Sequence, residues 1–131
     1  ESLSFAKKAN ALGQDGLWKL REELKNTCKA INDLLNEPAT RDAVLKAQTE
    51  HQRDAMPMMD CGWLNWFPLE GTKFAEMFNT LRSAGNGPYS LDIEMPIVDQ
   101  SVHVQSYGGD VVRDLVSKRL GLDIYYVRHL D

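Results

Sequence analysis

The chain has 131 residues, of which 43% are hydrophobic and 26% charged, and its formal net charge is −4 at pH 7. This composition excludes a disordered, collagen-like or membrane-spanning chain and predicts one domain that builds its own core. Because the acidic excess lies mainly in residues 89–131 and Lys and Arg form no cluster, direct nucleic-acid binding is disfavoured.

The two cysteines, Cys28 and Cys61, stand far apart and outside any C-x-x-C pattern. In a chain long enough to fold without disulfide bonds, this spacing favours reduced thiols and a cytoplasmic location. A single disulfide in a secreted protein is the alternative. Residues 1–12 lack the unbroken apolar run of a signal peptide, which agrees with the cytoplasmic prediction.

Residues 1–85 predict about four helices. The clearest is residues 17–36, where apolar side chains recur at i, i+3, i+4 and i+7 and charged residues occupy the other side. Glycine or proline follows each predicted helix and marks its end. The predicted helices are Leu3–Leu12, Leu17–Asn36, Thr40–Asp54 and Thr72–Ala84.

Residues 88–131 change to a period of two and predict a β-β-α-β unit. Apolar and polar residues alternate over 89–95 and again over 102–107, which indicates a hairpin. Gly108 and Gly109 then predict a tight turn into a helix capped by Asp110, and residues 124–130 form the last strand.

The predicted fold is therefore a single α+β domain over residues 1–131. Its helical part covers 1–85 and its β-β-α-β part covers 88–131, with a small three-stranded mixed sheet. The crossover between the second and third strands is long enough for a parallel return.

Residues that could carry chemistry are scattered. The histidines His51, His103 and His129 lack the spacing of a zinc site, so we expect no metal and no cofactor. The 106–110 turn departs from the phosphate-binding glycine patterns, and Asp110 would oppose an anion there. Cys61 has no neighbouring base in the sequence, which favours an inert thiol over a nucleophile.

An acidic strand face is the simplest interpretation of Asp92 and Glu94. Two residues apart on a strand, their carboxylates lie about 7 Å from each other. Glycoside hydrolases hold their acids at similar separations, but in a cleft and on separate elements. On an outer strand, these charges would discourage edge pairing.

Residues 57–68, PMMDCGWLNWFP, are rich in Trp and Met and follow neither helical nor strand period. Such residues either close a core or form the centre of an interface. We expect Trp63 and Phe67 to be buried and Trp66 to be partly exposed. Partial exposure is also expected for Met56, Met58 and Met59.

These observations predict a small acidic, non-enzymatic protein-binding module, an inhibitor or adaptor that occupies a surface of another protein. A basic surface, such as a nucleic-acid groove, would suit its charge. No membrane association is expected. The predicted contact residues are Met58, Met59, Trp63, Trp66, Asp92, Glu94 and Asp99.

Two alternatives are kept. One is a small enzyme or ligand-binding domain with a pocket near residues 106–110, where His103, His129 or Cys61 would converge. The other is a homodimer that pairs through its Trp- and Met-rich surface.

Overall fold

The computed structural model describes residues 2–55, 57–85 and 87–131, and the side chains of Ser2, Pro57 and Met58 lie outside this description. The described chain is a helix-rich α+β fold with one two-stranded sheet. In chain order, the elements are α1 (Ser2–Asn36), α2 (Pro38–Thr49), a 3-10 helix (Gln52–Asp54), α3 (Pro57–Asp60), β1 (Gly62–Pro68), α4 (Lys73–Ser83), α5 (Val102–Leu120) and β2 (Ile124–Leu130).

Helix α1 contains a break at Gly13, where φ is 66° and ψ is −178°. Only glycine readily adopts a positive φ, and the break therefore occurs at Gly13, directly after the predicted end of the first helix at Leu12. The arm before Gly13 lies against α4, with a Lys8–Glu76 ion pair of 2.7 Å between them. The longer arm buries one apolar stripe, confirming the predicted 17–36 amphipathic helix.

The core lies between that arm, α2, α4, α5 and the inner face of the sheet. Its fully buried members include Ile31, Val44, Leu81 and Val112. Helix α4 agrees with its prediction, because the Thr72 hydroxyl accepts a hydrogen bond from the amide of Ala75 at 3.1 Å and so caps the first turn.

Helix α2 begins and ends earlier than predicted. The preceding helix ends at Asn36, before Pro38, as predicted, and Pro38 also occupies the first turn of α2, where its missing amide hydrogen costs nothing. The helix ends at Thr49, and residues 52–54 form a separate 3-10 turn.

The predicted three-stranded mixed sheet is wrong. The sheet has two antiparallel strands, and β1 pairs with β2 in a register that runs from Gly62 opposite Leu130 to Pro68 opposite Ile124. Strand β2 has the predicted bounds, whereas β1 lies inside the Trp- and Met-rich segment that showed no strand period.

The expected strand at residues 89–95 is an extended segment that makes only one bridge to the sheet, between Trp66 and Leu91. The side-chain amide of Asn32, on α1, replaces a neighbouring strand. Its Nδ2 donates to the carbonyl of Asp92 at 2.9 Å, and its Oδ1 accepts from the amide of Glu94 at 2.8 Å. Side chains alternate between core and solvent over residues 91–95, as predicted, but Tyr89 is exposed and the predicted pairing does not form.

The expected strand at residues 102–107 is the first part of α5. The Ser101 hydroxyl accepts from the amide of Val104 at 3.3 Å and caps the helix, a role predicted for Asp110. Gly108 and Gly109 lie within the helix and form no turn. A β-carbon on Gly109 would lie 2.9 Å from Leu64 and 3.0 Å from Tyr126, so the missing side chain allows α5 to pack closely on the sheet.

Two further expectations can be compared with the described residues. Cys28 and Cys61 are not joined by a disulfide. None of the helices in the described part of the chain combines the length and the apolar character needed to cross a bilayer.

Candidate functional site

The two faces of the sheet have different surroundings. Leu64, Trp66 and Tyr126 turn toward α5, where Trp66 is only 2% exposed and meets the Tyr126 ring edge-on at 5.3 Å. Helix α5 contacts both strands on this side, and the close approach at Gly109 holds it there. This inner face is therefore part of the core.

The opposite face carries mostly aromatic and apolar side chains. Because alternate residues of a strand point to opposite faces, the register assigns six residues to it. None of the six is an acid, a lysine or an arginine. We call this surface the aromatic face; its residues are Trp63, Asn65, Phe67, Tyr125, Val127 and His129.

Trp63 is the anchor of the aromatic face. Its side chain is 45% exposed, and its ring stacks on that of His129 with the centroids 4.2 Å apart. Its indole Nε1 also donates to Oδ1 of Asn65 at 3.1 Å. Held by both neighbours, the exposed indole has little conformational freedom to lose if another molecule covers it.

The aromatic face is closed at one end and open at the other. At the closed end, Phe67 packs against Phe78 of α4, Tyr89 and Tyr125, with ring centroids 5.6 to 6.4 Å apart. At the open end, Val127 is 48% exposed beside Trp63 and His129. An apolar surface of this kind on a folded domain is typical of a contact site.

Acidic residues lie along the segment that borders β1. Asp92 and Glu94 are both exposed, and Leu91 beside them forms the bridge to Trp66. Tyr89, which packs on Phe67, begins the same segment. The aromatic face therefore has a negatively charged border on the β1 side.

The other predicted contact residues differ in exposure and in their contacts. Met59, in α3, is strongly exposed, and the side chain of Met58 lies outside the described residues. The expectation of an exposed Trp66 and a buried Trp63 is wrong, because strand β1 places them on opposite faces. The Asp99 carboxylate accepts from the amide of Ser101 at 2.9 Å, next to the cap of α5.

The residues proposed for an enzymatic pocket lie on different elements and make separate contacts. His103 lies on α5 and meets the ring of Tyr107 at 5.4 Å, whereas His129 stacks on Trp63. Cys61 forms a bridge with Ser101 at the start of β1. Residues 106–110 are helical, and Gly108 packs against the Gln48 side chain.

Two further groups, the Cys28 thiol and the Ser106 hydroxyl, lack the features of a nucleophile. Burial raises the pKa of the Cys28 thiol and disfavours its reactive thiolate form. The hydroxyl of Ser106 donates to the carbonyl of His103 at 2.6 Å and accepts from Arg128 at 3.0 Å, so its groups are engaged. Across the described residues, no group of three or more His, Cys, Asp or Glu could hold a metal ion.

One cavity of about 740 Å³ lies elsewhere, between the arm of α1 before Gly13 and helix α4. Leu12, Leu20, Phe74 and Met77 give it an apolar lining, and the Lys8–Glu76 pair borders it. The Lys8 ammonium lowers the pKa of the Glu76 carboxyl by direct hydrogen bonding. The lining contains two acids and two lysines, and the hydroxyls of Thr27 and Thr80 each donate to a backbone carbonyl of their own helix.

Sequence reasoning missed Asn65, Tyr125, Val127 and His129 as surface residues. The signal for them was weak because the strand has apolar residues on both faces, which removes the usual alternation. Comparison of the chain with protein-family models, with curated protein sequences and with solved structures finds no match.

Proposed function

We propose that this chain is a non-enzymatic protein-binding module that contacts another protein through the open end of the aromatic face. The observation that carries the proposal is Trp63, an exposed indole held in place by His129 and Asn65. Tryptophan is the residue most enriched among binding hot spots, and a pre-organised anchor loses less entropy on binding.

The surroundings of Trp63 resemble an interface in composition. Charged residues are depleted at the centre of protein interfaces and gather at the rim. Here the six residues of the aromatic face carry no permanent charge, while Asp92 and Glu94 lie exposed on the bordering segment. This arrangement favours a partner with an apolar contact surrounded by Lys or Arg.

The net charge of −4 supports the same partner class. An acidic module approaches a basic surface faster and is repelled by nucleic acid. We therefore propose that it acts as an inhibitor or adaptor that covers a basic surface of its partner. A cytoplasmic location belongs to this proposal, since Cys28 and Cys61 form no disulfide with each other.

The test compares two exposed tryptophans. Trp63→Ala removes the proposed anchor, whereas Trp18→Ala removes an indole that is 59% exposed on α1 and serves as the matched control. Proteins retained from a lysate by the wild type and by Trp18→Ala, but lost with Trp63→Ala, are candidates. Each is then purified and titrated calorimetrically. We expect Trp63→Ala to weaken binding by roughly 30-fold, the size of a hot-spot loss of about 2 kcal/mol.

The acidic border is tested separately. The double variant Asp92→Lys, Glu94→Lys should slow association with the same purified partner and reduce the dependence of the association rate on salt. Equal affinity of the wild type and Trp63→Ala for every retained protein would rule out the aromatic face as the contact surface. An unchanged salt dependence in the double variant would rule out the basic partner.

A further inference from the structure

The two edges of the sheet are unequal. At one end of the ladder, the amide of Leu69 donates to the carbonyl of Asp123 at 2.9 Å, and at the other, the amide of Asp131 donates to the carbonyl of Cys61 at 2.9 Å. Antiparallel pairing alternates, so the odd-numbered residues of β2 direct their peptide groups to β1. The even-numbered residues direct theirs away from β1; they are Ile124, Tyr126, Arg128 and Leu130.

The outer edge of β1 is covered at Gly62 and at Trp66. The amide of Gly62 donates to the carbonyl of Gln100 at 3.0 Å, and the carbonyl of Trp66 accepts from the amide of Leu91 at 2.7 Å. The buried Gln105 side chain adds a bond from Nε2 to the carbonyl of Gly62 at 3.0 Å. These contacts satisfy peptide groups that would otherwise be free to pair with another strand.

The outer edge of β2 is open from Tyr126 to Leu130, whereas Ile124 is 2% exposed and belongs to the core. Within residues 2–55, 57–85 and 87–131, no backbone hydrogen bond reaches the outward peptide groups of its even-numbered residues. Natural edge strands are usually protected by proline, lysine, a bulge or a covering element. Strand β2 contains neither proline nor lysine, and its register with β1 runs unbroken over its whole length.

We propose that a second copy of this chain adds its β2 strand, antiparallel, to the open edge of β2. The two-fold axis passes at Val127, and the product is a four-stranded sheet shared by two copies. Its outer strands are the two β1 strands. The pairing needs no other protein, so it can be tested independently of the partner binding proposed above.

The register follows from the alternation of peptide groups. Two outward-facing residues must meet, so even-numbered residues pair with even-numbered residues. An axis at Val127 pairs Tyr126 with Arg128 of the second copy, whereas an axis at Arg128 would place two guanidinium groups directly opposite each other. In the Val127 register, Tyr126 and Arg128 of the second copy exchange two hydrogen bonds, once on each side of the axis.

The side chains suit this register. On the aromatic face, Val127 meets Val127 of the second copy, and Tyr125 meets His129 of the second copy; such cross-strand pairs stabilise a sheet. On the inner face, Tyr126 lies opposite Arg128 of the second copy, whose guanidinium remains bonded to Ser106 of its own chain. The two aromatic faces become one continuous surface.

Like charges face each other at the ends of the paired strands. In the same register, Asp123 lies opposite Asp131 of the second copy, so the carboxylates repel each other at both ends. Added salt screens this repulsion. We therefore expect the dimer to tighten as ionic strength rises, the reverse of an ordinary ion-paired interface.

Sedimentation velocity of the full chain, from micromolar to millimolar concentration, measures the dimer directly. Arg128→Pro removes an outward amide and leaves the β1 ladder intact, and we expect it to weaken the dimer at least tenfold. Arg128→Ala loses the same side chain and its bond to Ser106 but keeps the amide, so it is the matched control and should still dimerise.

A second pair of variants avoids proline. Val127→Lys places two like charges opposite each other at the axis and should abolish the dimer, while Val127→Thr should retain it. Amide hydrogen exchange at Tyr126 and Arg128 should slow as the wild-type concentration rises.

A wild type that stays monomeric throughout the concentration range would overturn the proposal. So would a dimer that survives both Arg128→Pro and Val127→Lys, because another surface would then hold it. Trp63→Ala should leave the dimer unchanged, since Trp63 is on β1. Loss of the dimer in that variant would instead assign self-association to the aromatic face and contradict strand pairing.

Discussion

Trp63 and Trp66 are three residues apart on one strand and have opposite surroundings. Trp66 is 2% exposed and packs under α5, whereas Trp63 is 45% exposed and stacks on a surface histidine. The same side chain therefore contributes to stability at one position and is available for binding at the other. Strand geometry alone separates them, because residues at odd spacing point to opposite faces.

The largest expected effect comes from exchanging each tryptophan for alanine. Trp66→Ala leaves a cavity in the core and should lower the free energy of unfolding by about 3–5 kcal/mol. Trp63→Ala loses a stacked pair at the surface and should cost about 1 kcal/mol. Denaturant titration followed by circular dichroism measures both. Equal losses would contradict the assignment of the two faces.

A smaller effect is expected at the contact between α5 and the inner face. In an ordinary helix, Gly→Ala stabilises by about 0.5–1 kcal/mol. In Gly109→Ala, however, the new methyl group meets Leu64 and Tyr126, and overpacking should destabilise the fold by about 1–3 kcal/mol. Asp114→Ala, exposed on the same helix, should change stability by less than about 0.5 kcal/mol. A stabilised Gly109→Ala variant would mean that α5 does not press on the sheet.

The smallest effect is a pH dependence confined to the inner face. Burial, followed by the hydrogen bond that the Tyr126 hydroxyl donates to Asp110 at 2.7 Å, raises the pKa of Tyr126 from 10.0 to about 12. Because the neutral phenol is favoured in the folded state, its contribution to stability is complete below pH 10 and is lost as the pH rises toward 12.

Unfolding titrations between neutral pH and pH 12 test this dependence. Tyr126→Phe should be less stable than the wild type at neutral pH, and the difference should shrink as the pH rises through the alkaline range. Tyr89→Phe, at the aromatic face, controls for the loss of one tyrosine. A constant difference between wild type and Tyr126→Phe at all pH values would remove Tyr126 as the source.

The sequence correctly predicted those helices and strands whose formation depends on residues close together in the chain. The stripe of residues 17–36, the helix predicted at 72–84 and the final strand all depend on neighbours within a few residues. The first part of α5 was misinterpreted because its buried side includes Gln105, Gly108 and Gly109, which no hydrophobic period reveals. Asn32 acts on Asp92 and Glu94 from 60 residues away and left no local signal.

For the same reason, the sequence predicted only part of the candidate site. The sequence identified residues 57–68 as either plug or contact surface, and the structure shows that Trp66 of β1 is buried whereas Trp63 is exposed. A strand that is polar on its solvent side would have been recognised. Aromatic residues on the solvent side removed the alternation and, at the same time, created the surface on which the proposed function depends.

By itself, the sequence determined that the chain folds as one α+β domain, which stretches are amphipathic helices, and that its C-terminal third is acidic. Periodicity, capping and charge are properties of adjacent residues, so they can be read along the chain. Only the tertiary structure decided that β1 pairs with β2, that Trp66 is buried and Trp63 exposed, and that one sheet edge is open. Those outcomes depend on contacts between residues far apart in sequence, whose partners no local pattern specifies.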